Sequence, residues 1–144
     1  MAVQPIPPGY RTVTPYLVVD DVVRLLDFIK RAFSAVETYR SPGPGGAIMH
    51  AEARIGDSMV MMGAAREGNP ALRSMLYLYV EKVDDVYKQA IAAGGQSIHE
   101  PEDQFYGDRC GGLSDPFGNQ WWIGTHVEDV SHEEIVRRMK TAQH

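Results

Sequence analysis

Cysteine is nearly absent: Cys110 stands alone in 144 residues, so no disulfide can form within the chain and no cysteine-rich zinc site is available. Basic residues are also in deficit, with 14 Lys and Arg against 19 Asp and Glu and a net charge of −5. No basic stripe offers itself to a phosphate backbone, and a nucleic-acid partner is not expected. Apolar runs are short. None approaches the roughly 20 residues that span a bilayer, so no membrane partner is expected either. The opening MAVQPIPPGYRTV lacks the charged start and apolar stretch of an export signal, which makes a cytoplasmic location the expectation. What is present suits one globular domain. Apolar residues make up 44% and charged residues 23%, and a chain of this size buries roughly 70% of its unfolded surface without staples.

Hydrophobic spacing divides residues 1–144 into two similar units. Pro5, Pro7, Pro8 and Gly9 mark an extended arm. Thr12 to Val19 reads as a strand, with Pro15 placing it at a sheet edge. Asp20 or Asp21 caps a helix whose apolar stripe is Val22, Leu25, Leu26, Ile29 and Phe33. Strands are predicted over Val36 to Arg40, Ile48 to Ile55 and Met59 to Met62, with turns at 41–46 and 56–58. The order then recurs: a strand from Met75 to Val80, and a helix through Val83, Val86, Tyr87 and Ala90 that stops at Gly94-Gly95. Strands at Gln96 to His99, Arg109 to Leu113 and Gln120 to Thr125 complete the second unit. A shift of about 61 positions superimposes the two. The modules are therefore 12–63 and 75–125. A capping box of Ser131 and Glu134 opens a further helix over 131–141.

Side chains alternate along a strand, so each strand has a helix-facing set and an opposite set. In the first strand Val13, Pro15, Leu17 and Val19 suit the helices, leaving Thr14, Tyr16 and Val18 on the other face. Leu76, Leu78 and Val80 likewise leave Met75, Tyr77 and Tyr79. His50 and Glu52 share one face of their strand, and Trp121 and Trp122 must point opposite ways. The non-helix face thus collects Tyr16, Met75, Tyr77, Tyr79 and Trp122, with His50 and Glu52 nearby. Aromatic and methionine groups with a few polar atoms commonly line a small-molecule pocket. The same set also suits packing against a partner subunit or against the last helix.

The doubled strand-helix-three-strand order, TPYLVVDD at 14–21 and DPFGNQWWI at 115–123 together resemble the vicinal-oxygen-chelate superfamily of glyoxalases, bleomycin-resistance proteins and extradiol dioxygenases. IMHAEARIGDS at 48–58, QFYGDR at 104–109 and THVEDVS at 125–131 resemble its PhnB-like branch. The resemblance runs from Tyr10 to Arg138. It implies an α+β fold in which two βαβββ modules form a cup-shaped mixed sheet, followed by the C-terminal helix. It also implies metal-ligand positions on the first and last strands of each module. These fall on Thr14 and Met75, and near Val60 and on Trp122. A hard divalent cation prefers carboxylate or imidazole, so the usual metal site is not expected here.

The resulting expectation is a small-molecule-binding protein without the usual metal ligands and without a cofactor, sequestering a flat aromatic ligand. Its ligand-binding candidates are Thr14, Tyr16, His50, Glu52, Met75, Tyr77, Tyr79 and Trp122. The alternative is a lyase, isomerase or dioxygenase using a displaced divalent-metal site or a His50/Glu52 acid–base pair. His99, Glu100, Glu102 and His126 are the candidates for a third ligand of such a site. Glyoxalase I activity itself is not expected. A third alternative is an interaction protein whose cup is filled by side chains. Asp108 and Arg109 read as a structural ion pair or backbone anchor, or as an acid and its electrophile. A homodimer is expected, because the predicted edge strand leaves unpaired groups and apolar rims.

Overall fold

The computed structural model describes residues 2–142 and follows the doubled order. The first module comprises β1 (Tyr16–Val19), α1 (Val22–Phe33), β2 (Val36–Pro42), β3 (Ile48–Ile55) and β4 (Ser58–Ala64). The second comprises β5 (Met75–Tyr79), α2 (Val83–Ala92), β6 (Gln96–Asp103), β7 (Asp108–Ser114) and β8 (Gln120–His126), and α3 (His132–Ala142) follows. Each module forms its own four-stranded mixed sheet, in the orders β1-β4-β3-β2 and β5-β8-β7-β6. In each sheet the first and last strands run parallel and the remaining pairs are antiparallel. Among the described residues, no ladder joins β1 to β5.

Local chemistry explains the helix starts. Asp21 is the N-cap of α1 and accepts from the Arg24 amide at 3.1 Å. The start of α2 has no such side chain of its own. Thr125 on β8 serves instead, accepting from the Val83 amide and donating to the Val80 carbonyl, both at 2.9 Å. Ser131 caps α3 through the Glu134 amide at 3.2 Å. Glu134 turns its carboxylate to Arg137 and Arg138, and Arg138 docks the helix on the Phe105 carbonyl and on Glu128.

Two strand boundaries differ from expectation by more than two residues. The first strand begins at Tyr16 rather than Thr12, and Val13, expected beneath the helices, is 82% exposed. Its only ladder partner is β4, whose register opens at Tyr16 opposite Met61. Pro15 still offers its carbonyl to the Met61 amide at 2.9 Å, but proline has no N–H with which to continue the pairing. The sixth strand runs past His99 to Asp103 despite Pro101. It is an edge strand, where a missing N–H is tolerated, and its pairing with β7 is irregular there.

One apolar core serves both modules. Leu17, Val19, Ala51, Ala53, Val60 and Met62 line the helix side of the first sheet, and Leu113, Trp121 and Ile123 that of the second. Helix α1 packs on α2, and Phe33 meets Trp121 with ring centroids 4.9 Å apart. The predicted parity of the tryptophans holds: Trp121 is fully buried, whereas Trp122 lies half-buried on the opposite face. Among the described residues, no helix is long and apolar enough to cross a membrane.

Candidate functional site

The faces turned away from the helices carry the candidate residues, and glycines on the last strands shape both. Tyr16 lies over Gly63 and Tyr77 over Gly124, so that a methyl at either glycine would collide with the tyrosine ring. These pairs are equivalent, each member 61 positions from its counterpart. Trp122 lies in the same way over Gly112, whose missing side chain would sit 2.7 Å from the indole. Glycine within a strand gives a ring room to lie flat on the backbone.

On the second sheet the ring of Tyr77 carries its hydroxyl across β8 to Asp108. Asp108 is buried at the start of β7, opposite His126 on β8. One carboxylate oxygen accepts from Tyr77 at 3.0 Å and from Tyr79 at 2.8 Å. The other meets His126 Nδ1 at 3.0 Å, while Nε2 of that ring faces Asp129 at 2.7 Å. Burial pushes the Asp108 carboxyl up, but the bonds from His126, Tyr79 and Tyr77 outweigh it, and its pKa lies below the ordinary value. The same bond to Asp108, then that to Asp129, raises His126. Burial and then the bond to Asp108 hold the Tyr77 phenol far above the usual range. Tyr106, beside the buried Cys110 at 3.6 Å, is pushed up to about 12, chiefly by burial. Met75, Tyr77, His99, Gln104, Tyr106, Cys110 and Trp122 line an open hollow of about 360 Å³.

The pair of Asp108 and His126 gives a pH signature. A raised histidine stabilises the fold fully below its ordinary value of about 6.5, and that contribution is lost as pH rises through the folded value. A lowered aspartate contributes above about 3.9 and loses its contribution as pH falls through its folded value. The difference in melting temperature between wild type and His126→Gln is therefore expected to be largest between about pH 4 and 6.5. Thermal melts across pH 3–9 check this; a constant difference would remove the charged pairing.

On the first sheet, Tyr16 reaches His50 Nδ1 at 3.1 Å. His50 Nε2 lies 2.7 Å from Glu52 Oε2, and Tyr10 of the N-terminal arm bonds the other Glu52 oxygen. His50 and Glu52 are thus on one face, as alternation requires, with Tyr16 as a third member. The arm borders a hollow of about 520 Å³ with Tyr39, Glu52 and Arg54.

The expected ligand-binding set therefore divides. Tyr16, His50 and Glu52 come together on one sheet; Met75, Tyr77, Tyr79 and Trp122 come together on the other. Members of the two groups meet where Tyr16, Met75 and Tyr77 border a cleft of about 330 Å³ between β1 and β5. Thr14 lies ahead of β1, its hydroxyl donating to the Arg11 carbonyl at 3.4 Å. It borders a larger cavity of about 660 Å³ between the modules, which reaches the helix side at Phe33, Leu78 and Trp121. Asp108 and Arg109 do not pair with each other. Neighbours on a strand face opposite ways, and Arg109 binds Asp84 and Asp103 instead.

The last-strand position of the first module is Met61, opposite Tyr16 as Trp122 is opposite Tyr77; Val60, the expected neighbourhood, points into the core. Thr14, Met61, Met75 and Trp122 do not fit a hard divalent cation. Neither His99, held by Glu100 and Glu102, nor His126 joins His50 and Glu52. Among the described residues no three His, Cys, Asp or Glu side chains are arranged to hold a metal ion. Sequence reasoning missed the role of Tyr10, and it offered Asp108 as an ion pair or anchor without its partners Tyr77, Tyr79 and His126. Strand parity pointed to Asp108, which alternates with Cys110 and Gly112 toward the tyrosines.

Comparison with known proteins adds the following. A family model described as the Glyoxalase/Bleomycin resistance protein/Dioxygenase superfamily matches residues 11–123. An uncharacterised protein of Mycobacterium bovis is 36% identical over 142 residues, covering 89% of this chain and 91% of its own. The crystal structure of TioX from Micromonospora sp. ML1 aligns with a TM-score of 0.71 at 24% identity, over 81% of this chain and 99% of that one. A PhnB protein from Bacillus cereus aligns with a TM-score of 0.64 at 17% identity, over 80% and 99% respectively.

Proposed function

Because the chain belongs to the glyoxalase/bleomycin resistance protein/dioxygenase superfamily, a fold on which many chemistries are built, we propose from its site residues that it binds a small, flat aromatic molecule without a metal. The observation that carries this reading is Trp122. It occupies a position where the family resemblance implies a metal ligand, lies flat on Gly112 and forms a wall of the hollow on the second sheet. A volume of about 360 Å³ is within the usual range for a ligand pocket. Met75 and Tyr77 add apolar and aromatic surface, and Gln104, His99 and Cys110 supply polar atoms for orientation. Sequestration needs no chemistry from the pocket, only burial and stacking.

The reading includes a cytoplasmic homodimer. Val36 on β2 and Ile98 on β6, the outer strands of the two sheets, are exposed, and a second copy would remove that apolar surface from water.

Small molecules retained through purification can be identified by native mass spectrometry and extraction, and their affinity measured by calorimetry. Trp122→Ala is expected to weaken such a ligand tenfold or more, about 1.4 kcal/mol, while leaving the melting temperature nearly unchanged. An unchanged affinity would place the ligand elsewhere, the larger cavity between the modules being the next site to test.

A further inference from the structure

The two modules repeat one tyrosine in opposite chemical settings. Tyr16 and Tyr77 rest on equivalent glycines, Gly63 and Gly124. Tyr77 gives its hydroxyl proton to a bond with the Asp108 carboxylate, which Tyr79 and His126 also satisfy. A carboxylate has too little affinity for a proton to take it from a phenol, so that hydroxyl is locked. The residue opposite the glycine seat differs between modules: Cys110 faces Gly124, but His50 faces Gly63. Tyr16 therefore meets an imidazole at 3.1 Å.

The tautomer of that imidazole follows from its partner. An ionised carboxylate only accepts, so His50 Nε2 must carry the hydrogen shared with Glu52 at 2.7 Å. In the neutral ring Nδ1 is then a free base, directed at the Tyr16 hydroxyl. Tyr10 bonds the second Glu52 oxygen and fixes the carboxylate from the arm side. Tyr39 from β2, with centroids 6.3 Å apart, Ser41 from β2 and Gly63 from β4 also lie near the ring, and Arg54 shares its face of β3 two residues beyond Glu52. Carboxylate, imidazole and hydroxyl in line form the arrangement by which an imidazole takes a hydroxyl proton as the oxygen attacks. Tyr16 is 47% exposed, and its hydroxyl lies over Gly63 on the open face of the first sheet, where small molecules reach it.

We propose that Tyr16 is a base-assisted nucleophile that accepts an acyl group from an activated acyl compound approaching the open face of the first sheet. The phenol oxygen bonds to the acyl carbon, and the bond to the leaving group breaks, its electron pair departing with that group. The phenolic proton passes to His50 Nδ1, and the imidazolium so formed faces Glu52. His50 and Glu52 act through Tyr16 and need not touch the acyl compound. This site is independent of the aromatic hollow on the second sheet, and neither proposal needs the other.

N-acetylimidazole is the probe, with acetylation of each tyrosine followed by peptide mass spectrometry at neutral pH. Exposure alone ranks Tyr39, at 53%, at or above Tyr16. Base assistance reverses that order: Tyr16 is expected to react at least tenfold faster than Tyr39, and Tyr77 and Tyr79 more slowly than either. His50→Gln is expected to bring Tyr16 down to the rate of Tyr39, and Glu52→Ala to reduce it severalfold. The ratio of the two tyrosines within one molecule corrects for any loss of folded protein, and Tyr16→Phe identifies the labelled peptide. Equal rates for Tyr16 and Tyr39 in wild type, or a ratio unchanged in His50→Gln, would overturn the proposal.

Discussion

Replacing Trp121 by alanine is expected to cost about 3–5 kcal/mol of folding free energy, whereas the same change at its neighbour Trp122 leaves the fold intact. The two indoles differ in what surrounds them. Trp121 is fully buried, packs against Phe33 of the other module and donates its N–H to Asp115 at 2.9 Å. Removing it opens a cavity where the modules meet and leaves part of a buried carboxylate without its partner. Trp122 rests on the sheet surface, its N–H donating to Gln120 at 3.0 Å. Urea denaturation of both variants tests the contrast. Equal losses would mean that Trp122 also carries the fold, and the hollow it walls would then be a packing defect.

Asp115→Ala is expected to be comparably damaging, by at least about 3 kcal/mol, although the residue looks from sequence like an ordinary turn former. Its carboxylate accepts four hydrogen bonds: from the amides of Phe117 and Asn119, from the Asn119 side chain and from Trp121. Asn119, fully buried, in turn accepts from the Ser74 amide at 2.8 Å, tying the turn to the start of β5. Each buried donor left without an acceptor costs about 1–3 kcal/mol. Asp115→Asn keeps one carbonyl acceptor and should fall between wild type and alanine. A double-mutant cycle with Trp121→Phe should give a coupling of about 0.5–3 kcal/mol, since the two share a bond. Additive losses would show that the indole N–H gains nothing from Asp115.

The order of strands and helices was legible because each element keeps its own hydrophobic period, and doubling of the pattern reinforced each weak signal. Face assignments followed from parity alone, which is why Trp121 and Trp122 separate as expected. Failures came where a distant partner decides. Val13 and Pro15 continue the apolar alternation, yet the strand starts at Tyr16 because its ladder with β4 starts there. Asp108 and Arg109 looked like a pair because they are adjacent. Their true partners lie on β5, β8, α2 and β6, set by a register that no local window contains. Tyr10 sat within a proline-rich arm, where nothing local suggests a bond to Glu52.

The missing ladder between β1 and β5 bears on what the protein can accommodate. Strands joined by backbone hydrogen bonds shift only in whole steps of register. Surfaces joined by side chains, as α1 and α2 or Phe33 and Trp121 are here, can tilt by fractions of an ångström as rotamers adjust. A small change of angle between the two sheets therefore breaks no strand pairing and falls instead on side-chain contacts such as that of Phe33 with Trp121.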